Sequence, residues 1–189
     1  MALLDHDKTV QAVKHWVETS VIGLNLCPFA KREFLNQRIR FSVAEVNTEV
    51  QLLSVLKAEL ELLNNDEPLT ETTLLIHPQV LQNFMDYNEF LDLADGLLVQ
   101  MELEGIIQVA SFHPDYQFAG TEPDDVENYS NRSPFPLLHL IKEQSLEYAI
   151  AHYPEPDKIP QRNIDLLKKL GKESMQTLFQ SHLDSVDNG

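Results

Sequence analysis

The chain has 189 residues, 30 of them acidic and 14 basic, which gives a formal net charge of −16. A field of that sign repels phosphate backbones and anionic lipids, so neither nucleic acid nor a membrane surface is an expected partner. No apolar run is long enough to span a bilayer, and the N-terminus lacks the pattern of a secretory signal. The one cysteine, Cys27, excludes an internal disulfide and suits a reducing, cytoplasmic setting.

Helical and strand periodicities alternate along the chain. The spacing of apolar residues, together with glycine and proline positions, defines each expected element. In chain order these are a helix over 7–22, a short helix starting at Pro28, a strand over 38–46, a helix over 48–64, a strand over 72–77, a helix over about 81–101, a strand over 106–112, a helix over about 134–152 and a last helix over about 161–183.

Strands that alternate with helices are typical of the α/β class. We expect a small, mostly parallel sheet of about three strands, with flanking helices and a C-terminal helix. One domain is expected to cover 1–183, followed by a frayed acidic tail over 184–189. The sequence gives no indication of the oligomeric state.

Two of the expected strands end in a histidine followed by proline, at His77 and His113. If the strands are parallel, both imidazoles lie at the carboxyl edge of the sheet, where open α/β sheets bind ligands. The alternative is that each histidine only caps loop carbonyls at a strand end. For His77 the structural role is favoured, and it is retained as a ligand-binding candidate.

The stretch from Ser111 to Glu143 contains a loop of about twenty residues with several aromatic side chains. Loops of this length inside a compact domain are usually functional or disordered, and aromatic anchors favour order. We expect a binding or active-site loop. If it lines a site, Tyr116, Phe118 and Phe135 should face a cleft, whereas a partner surface would expose them.

Arg132 and Ser133 follow this loop. Arg132 is expected either to pair with Asp115, Asp124 or Asp125 or to present its planar guanidinium to an anionic ligand. Ser133 is expected to cap the helix that starts at Pro134, which makes a nucleophilic role improbable. The free N–H groups of that helix start could also hold an anion.

His139 and Glu143 are four residues apart, which places them on one face of the expected helix. Together with His113 and Asp115 they form a candidate set of nitrogen and oxygen ligands for a divalent metal. The spacing matches no established metal motif. The same residues allow acid–base chemistry, with His113 as general base, Asp115 orienting it and His139 assisting.

Cys27 precedes Pro28 at an expected helix start. A helix dipole there would lower the thiol pKa and make Cys27 a nucleophile, with His113 or His139 as a conceivable base. The competing interpretation, which we favour, is that this apolar segment only packs, as most free cysteines do.

Three segments resemble an uncharacterised bacterial and plant family, domain of unknown function fourteen-fifteen. They are Gly23–Ala30, Phe112–Phe118 and Asn131–Leu140, in the same order along nearly the whole chain. The resemblance implies a single-domain protein of about this size and no particular reaction. It adds Asn131 to the candidates and marks Cys27, His113, Asp115, Arg132 and His139 again.

The leading hypothesis is an enzyme that acts on a small anionic molecule by acid–base or metal-assisted chemistry. The alternatives are a non-catalytic binding domain that uses the Ser111–Glu143 loop and a thiol protein that uses Cys27. A nucleotide cofactor is not expected, because no glycine-rich phosphate loop is present. If the site hypothesis holds, alanine at His113 or Arg132 leaves the fold intact.

Overall fold

The structure, a computed structural model, describes residues 5–65 and 70–187, with side chains as far as Asp184. Within these residues the chain forms seven α-helices and four strands. They are α1 (His6–Trp16), α2 (Ala30–Leu35), β1 (Ile39–Val43), α3 (Glu49–Asn64), β2 (Thr72–Ile76), α4 (Phe84–Gln100), β3 (Ile107–Phe112), β4 (Leu137–Lys142), α5 (Glu143–Ala151), α6 (Ile159–Leu170) and α7 (Lys172–Asp187), with a π-helical turn over Val17–Ile22 and 3-10 turns over Val126–Ser130 and Pro156–Lys158.

The sheet has the strand order β1-β2-β4-β3. β1 and β2 are parallel, and β4 is antiparallel to both of its neighbours. It follows that β1, β2 and β3 all run in one direction, with β4 inserted against them. The α/β class, the small sheet and the C-terminal helix are confirmed, although the sheet is mixed and has four strands.

Two apolar clusters cover the two faces of the sheet. α3 and α4 pack on the face that carries Leu75 and Leu138. α1 packs on the opposite face, which carries Leu74 and Leu137. Successive side chains of a strand point to opposite faces, so β2, through Leu74 and Leu75, and β4, through Leu137 and Leu138, each contribute to both layers of the core.

The expected helix over 134–152 is wrong in its first half. Residues 137–142 form β4, and the helix begins only at Glu143. β4 is covered on both faces, and Leu137, Leu138 and Leu140 are fully buried. A strand buried on both faces reads as a continuous apolar run, which periodicity does not distinguish from a buried helix.

Two further element boundaries differ from the expectation. The helix expected from about 81 begins at Phe84, and Leu81 lies in the preceding loop with a φ of +58°. The helix expected over 161–183 is two helices, separated at Gly171, whose φ of +81° suits a helix end. Of the expected tail, α7 continues to Asp187 and residues 188–189 lie outside the described range.

Candidate functional site

His77 and His113 meet at the carboxyl edge of the sheet, because β2 and β3 point the same way. Both rings flank Tyr87 of α4, with centroid distances of 5.8 Å for His77 and 5.1 Å for His113. The hydroxyl of Tyr87 donates to the carbonyl of Leu137 and accepts the N–H of Phe112, at 2.8 and 3.0 Å. The juxtaposition expected from the two histidine–proline pairs is therefore present, within a packed interior.

The ring of His113 is fully buried, and both of its nitrogens are bonded to the backbone. Nε2 lies 3.1 Å from the carbonyl of Leu81, and Nδ1 accepts the N–H of Asp115 at 3.0 Å. Because a carbonyl can only accept, Nε2 carries the proton and the ring is neutral. Burial lowers the pKa of His113, which agrees with that state. Neither nitrogen is available to a substrate or a metal in this arrangement.

His77 makes the neighbouring contact in the same loop. Its Nδ1–H donates to the carbonyl of Val80 at 3.1 Å, one residue before the carbonyl that His113 holds. Its Nε2 is buried with no hydrogen-bond partner among the described residues. Two imidazoles from two strands thus hold consecutive carbonyls of a loop in which Leu81 has an unfavourable positive φ.

The four residues suggested as metal ligands are not brought together. His113 contacts Phe84 of α4 on one side of the sheet, whereas His139 lies near Phe112 on the side that α1 covers. The Nε2–H of His139 donates to the hydroxyl of Thr72, 2.5 Å away. His139 is in a strand and Glu143 begins the next helix, so the shared helical face does not exist.

Asp115 approaches His113 through its backbone N–H, and its side chain is exposed. The expected carboxylate–imidazole contact is therefore replaced by a main-chain contact. Among the described residues, no group of three or more His, Cys, Asp or Glu side chains is arranged to hold a metal ion.

Because three histidines are neutral in the folded protein, we expect its free energy of unfolding to decrease in mild acid. Burial lowers the pKa of His77, His139 and His182 to about 4, whereas an unfolded imidazole titrates near 6.5. The unfolded chain therefore binds protons between pH 6.5 and 4 that the folded chain does not. Stability contributed by these groups is complete above pH 6.5, falls as the pH drops towards 4, and is worth a few kcal/mol for each ring.

This dependence is measured by urea unfolding at pH 7.5, 6 and 5. The variant His139→Gln serves as a control, because its amide can still donate to Thr72 but does not titrate, and it should show a shallower loss. A free energy of unfolding that is constant or rises over this interval contradicts the assignment of neutral rings in the folded protein.

Arg132 organises the loop that precedes it. Its Nε donates to the carbonyl of Tyr116 at 3.3 Å, and its Nη2 donates to the carbonyl of Pro123 at 2.7 Å. The guanidinium also lies over the ring of Tyr129, 4.6 Å from the centroid. Both of these hydrogen bonds go to carbonyls of the loop, where a carboxylate partner or an anion had been expected. Asp124 pairs with Lys172 instead.

Asn128 is the centre of the same loop and is fully buried. Its Oδ1 accepts the N–H of Phe118 at 3.1 Å and the hydroxyl of Thr121 at 2.8 Å. Its Nδ2 donates to the carbonyl of Glu122, also at 2.8 Å. The loop is consequently ordered by its own side chains, as the aromatic anchors had indicated.

Ser133 does not cap a helix, because no helix starts there. It is fully buried, and its hydroxyl donates to the carbonyl of Phe135 at 2.7 Å. The expected cap, and the anion site built on that helix start, are wrong for the same reason as the helix itself: residues 137–142 are a strand.

A cleft of about 600 Å³ lies between this loop, the turn that follows α1, and the start of α6. This volume is within the usual range for small-molecule sites. Its apolar wall is formed by Val21, Leu26, Phe112, Phe118, Ala119, Ile159, Pro160 and Ile164. The polar side chains along it are Cys27, Thr121, Glu127, Ser130, Asn131 and Asn163.

The cleft contains little charge. Among the described lining residues Glu127 is the one carboxylate, and it pairs with Lys168 at 3.2 Å. No lysine or arginine of the described part of the chain lines the cleft. The amides of Asn131 and Asn163 are fixed by donating to the carbonyls of Ser111 and Leu26, at 3.1 and 2.8 Å. The electrostatic character of the cleft is that of a neutral, mainly apolar site.

Cys27 is half-buried along this cleft. Burial raises the pKa of its thiol, and hydrogen bonds from the backbone N–H groups of Phe29 and Ala30 lower it by less. The α2 helix begins at Ala30, so the thiol is not the helix cap that had been considered. At neutral pH the side chain is therefore a protonated thiol, and the described lining residues include no histidine to accept its proton.

The three segments that carried the family resemblance converge on the cleft. The first supplies Leu26 and Cys27, the second Phe112 and Phe118, and the third Asn131. The α6 wall was missed by the sequence analysis. Its lining positions, Pro160, Asn163 and Ile164, follow the spacing of one helical face, but that pattern alone does not separate a cleft wall from a core contact.

These features define an α/β protein with a mainly apolar cleft beside the carboxyl end of β3. The chain belongs to the family described as protein of unknown function (DUF1415), whose model matches residues 8–177. The resemblance noted from the three segments is thereby confirmed. No curated protein and no solved structure matches the chain. None of the described helices is long and apolar enough to cross a membrane.

Proposed function

We propose that this protein binds a small, uncharged and largely apolar molecule in the cleft lined by Cys27, Phe118 and Asn131. The observation that carries the proposal is the composition of the cleft wall, which is mainly apolar with a few fixed amide groups. Such walls bury the body of a ligand by the hydrophobic effect and orient it through a small number of polar contacts.

The aromatic residues of the loop argue against a partner surface, although of the three expected to face a cleft the described lining includes Phe118 and neither Tyr116 nor Phe135. Phe118 lines the cleft, and Tyr116 packs between Phe118 and Phe84, at centroid distances of 4.9 and 5.3 Å. Phe135 packs against the cluster beneath α1. None of the three is exposed, whereas a protein-docking loop would present them to solvent.

An uncharged ligand is favoured over the anionic one that the sequence suggested. An anion in this cleft would meet no lysine or arginine among the described lining residues, and the charged side chain there, Glu127, is an acid paired with Lys168. The nearest candidate cation of the loop, Arg132, donates to the carbonyls of Tyr116 and Pro123. Moving an unpaired anion out of water into such a site is costly.

Binding of two molecules of matched shape tests this proposal. Cyclohexanemethanol and cyclohexanecarboxylate share the same ring, and only the second is charged at pH 7.5. We expect the chemical shifts of the cleft residues to change on titration with the alcohol at millimolar concentration, and the carboxylate to bind about tenfold more weakly.

A cleft-filling variant provides the control. Ile164→Trp places an indole in the cleft and should abolish the shifts produced by the alcohol, while Leu170→Trp, at an exposed position of the same helix, should preserve them. Stronger binding of the carboxylate, or shifts unaffected by Ile164→Trp, would count against an apolar, uncharged ligand.

The enzymatic hypotheses receive less support. Acid–base chemistry by His113, with or without a metal, requires the ring to exchange its bonds to Leu81 and Asp115 for a substrate. Thiol chemistry would use the cleft itself, since Cys27 lines it, but burial raises the pKa of that thiol. Both would need a rearrangement that ligand binding does not.

A further inference from the structure

The net charge of this protein is confined to one part of the chain. Residues 58–131 contain 16 acidic residues and no lysine or arginine, while the remaining 14 acidic residues are balanced by the 14 basic ones. The segment includes β2, α4 and β3. Several acids of the segment pair with basic residues from outside it, namely Glu59, Glu61, Glu71, Asp124 and Glu127. The acids of α4 form no such pair among the described residues, so negative charge without a basic partner lies on that helix.

The inner face of α4 packs on the core, and no described residue covers its outer face. Tyr87, Phe90 and Ala94 are buried beneath it. On the outer side Met85 is 64% exposed, Leu93 50% and Val99 54%. Isolated exposed apolar residues are ordinary, but three on one helix, beside a region of concentrated charge, suggest a contact surface.

Four exposed carboxylates lie among these apolar side chains. They belong to Asp86, Glu89, Asp92 and Asp95, and none forms an ion pair with a lysine or arginine among the described residues. α4 itself contains no basic residue. An unpaired array of this kind attracts a cationic partner and sets its orientation more than its affinity.

Gly96 is a second and independent feature of this face. It lies in the interior of α4, is exposed, and has no atom of the described residues within 4 Å of the position that a Cβ would occupy. Glycine weakens a helix interior relative to alanine. No contact or backbone conformation of the described residues requires a glycine here, and the missing side chain leaves room for another backbone to approach α4 closely.

We propose that the outer face of α4 docks a basic amphipathic segment of a partner protein, whose lysines or arginines alternate with apolar side chains. The cationic groups would meet Glu89 and Asp92, and the apolar ones would contact Met85, Leu93 and Val99. Charge complementarity selects this occupant, because a second copy of the chain would bring the same negative field.

A synthetic helical peptide of leucine and lysine, labelled with fluorescein, probes this surface. A scrambled peptide of the same composition separates amphipathic docking from charge attraction. We expect the double variant Glu89→Lys/Asp92→Lys to weaken binding of the helical peptide about tenfold. The matched double variant Glu147→Lys/Glu173→Lys, at exposed positions outside α4, should change it less than about twofold.

Gly96→Leu supplies a test that leaves the charge unchanged. It should weaken peptide binding about tenfold because the side chain blocks close approach, while the thermal stability of the free protein is kept or rises. The proposal would be overturned if the two double lysine variants lost the same affinity for the helical peptide. It would also be overturned if the scrambled peptide bound as tightly as the helical one, or if Gly96→Leu left peptide binding unchanged. Self-association abolished by Glu89→Lys/Asp92→Lys would replace the partner with a second copy.

Discussion

His113→Ala is expected to lower the free energy of unfolding by about 3 kcal/mol. The substitution removes a fully buried ring and leaves the carbonyl of Leu81 and the N–H of Asp115 without partners. It also releases one of the two bonds that hold the loop around Leu81, where φ is +58°. Chemical denaturation at pH 7.5 measures the effect.

The matched control is Asp115→Ala, because the side chain of Asp115 is exposed and its backbone N–H is kept. It should change stability by less than about 0.5 kcal/mol. If His113→Ala is as stable as the wild type but loses binding of a ligand, His113 acts on that ligand. The acid–base hypothesis drawn from the sequence would then be preferred to a structural role.

Asn128→Ala is expected to cost about 2 kcal/mol or more and to loosen the wall of the cleft. Three groups lose a hydrogen bond: the N–H of Phe118, the hydroxyl of Thr121 and the carbonyl of Glu122. The hydroxyl of Thr121 retains the carbonyl of Phe118 as an acceptor, and the carbonyl of Glu122 still accepts the N–H of Asp125 at 3.0 Å. The N–H of Phe118 is left to find water in a half-buried loop.

Hydrogen exchange separates this local effect from a general one. The amide of Phe118 should lose protection in Asn128→Ala, whereas amides of β2 should lose only what the global stability change requires. Asp124→Ala, at a largely exposed side chain of the same loop, is the control and should leave the Phe118 amide unchanged. Unaltered protection at Phe118 in Asn128→Ala would show that the loop is held in another way.

The direction of the strands could be predicted from the sequence, and the chemistry at their ends could not. Strands separated by helices indicated parallel β2 and β3, which placed His77 and His113 together correctly. The atoms that occupy their ring nitrogens depend on the loop before α4. That loop contains Leu81 at a positive φ, a conformation that leucine disfavours and that no sequence rule anticipates.

The site predicted from the sequence was misplaced because residues 137–142 were expected to be helical and form a strand instead. A helix over 134–152 would have placed His139 and Glu143 on one face and made Ser133 its N-cap. The run Leu137–Lys142 is apolar because α1 covers one face of β4 and α3 covers the other. A run of that length fits either structure until its neighbours are known.

The cleft was not predicted from the sequence because its walls come from segments that are far apart along the chain. Cys27 and Asn131 line one cleft although more than 100 residues separate them. The sequence marked both through the family resemblance, without showing that they meet. The α6 residues that form one wall show no sequence pattern beyond helical spacing. The cleft could therefore be recognised only from the three-dimensional structure.

The position of cyclohexanemethanol in a crystal of the protein tests the central claim most directly. We predict that the ring of the alcohol lies against Phe118 and Phe112. In a crystal soaked with cyclohexanecarboxylate at the same concentration, we expect no carboxylate molecule in the cleft. Cyclohexanecarboxylate bound in place of the alcohol, or an alcohol found only outside the cleft, would contradict the proposal that this site takes a small, uncharged and largely apolar molecule.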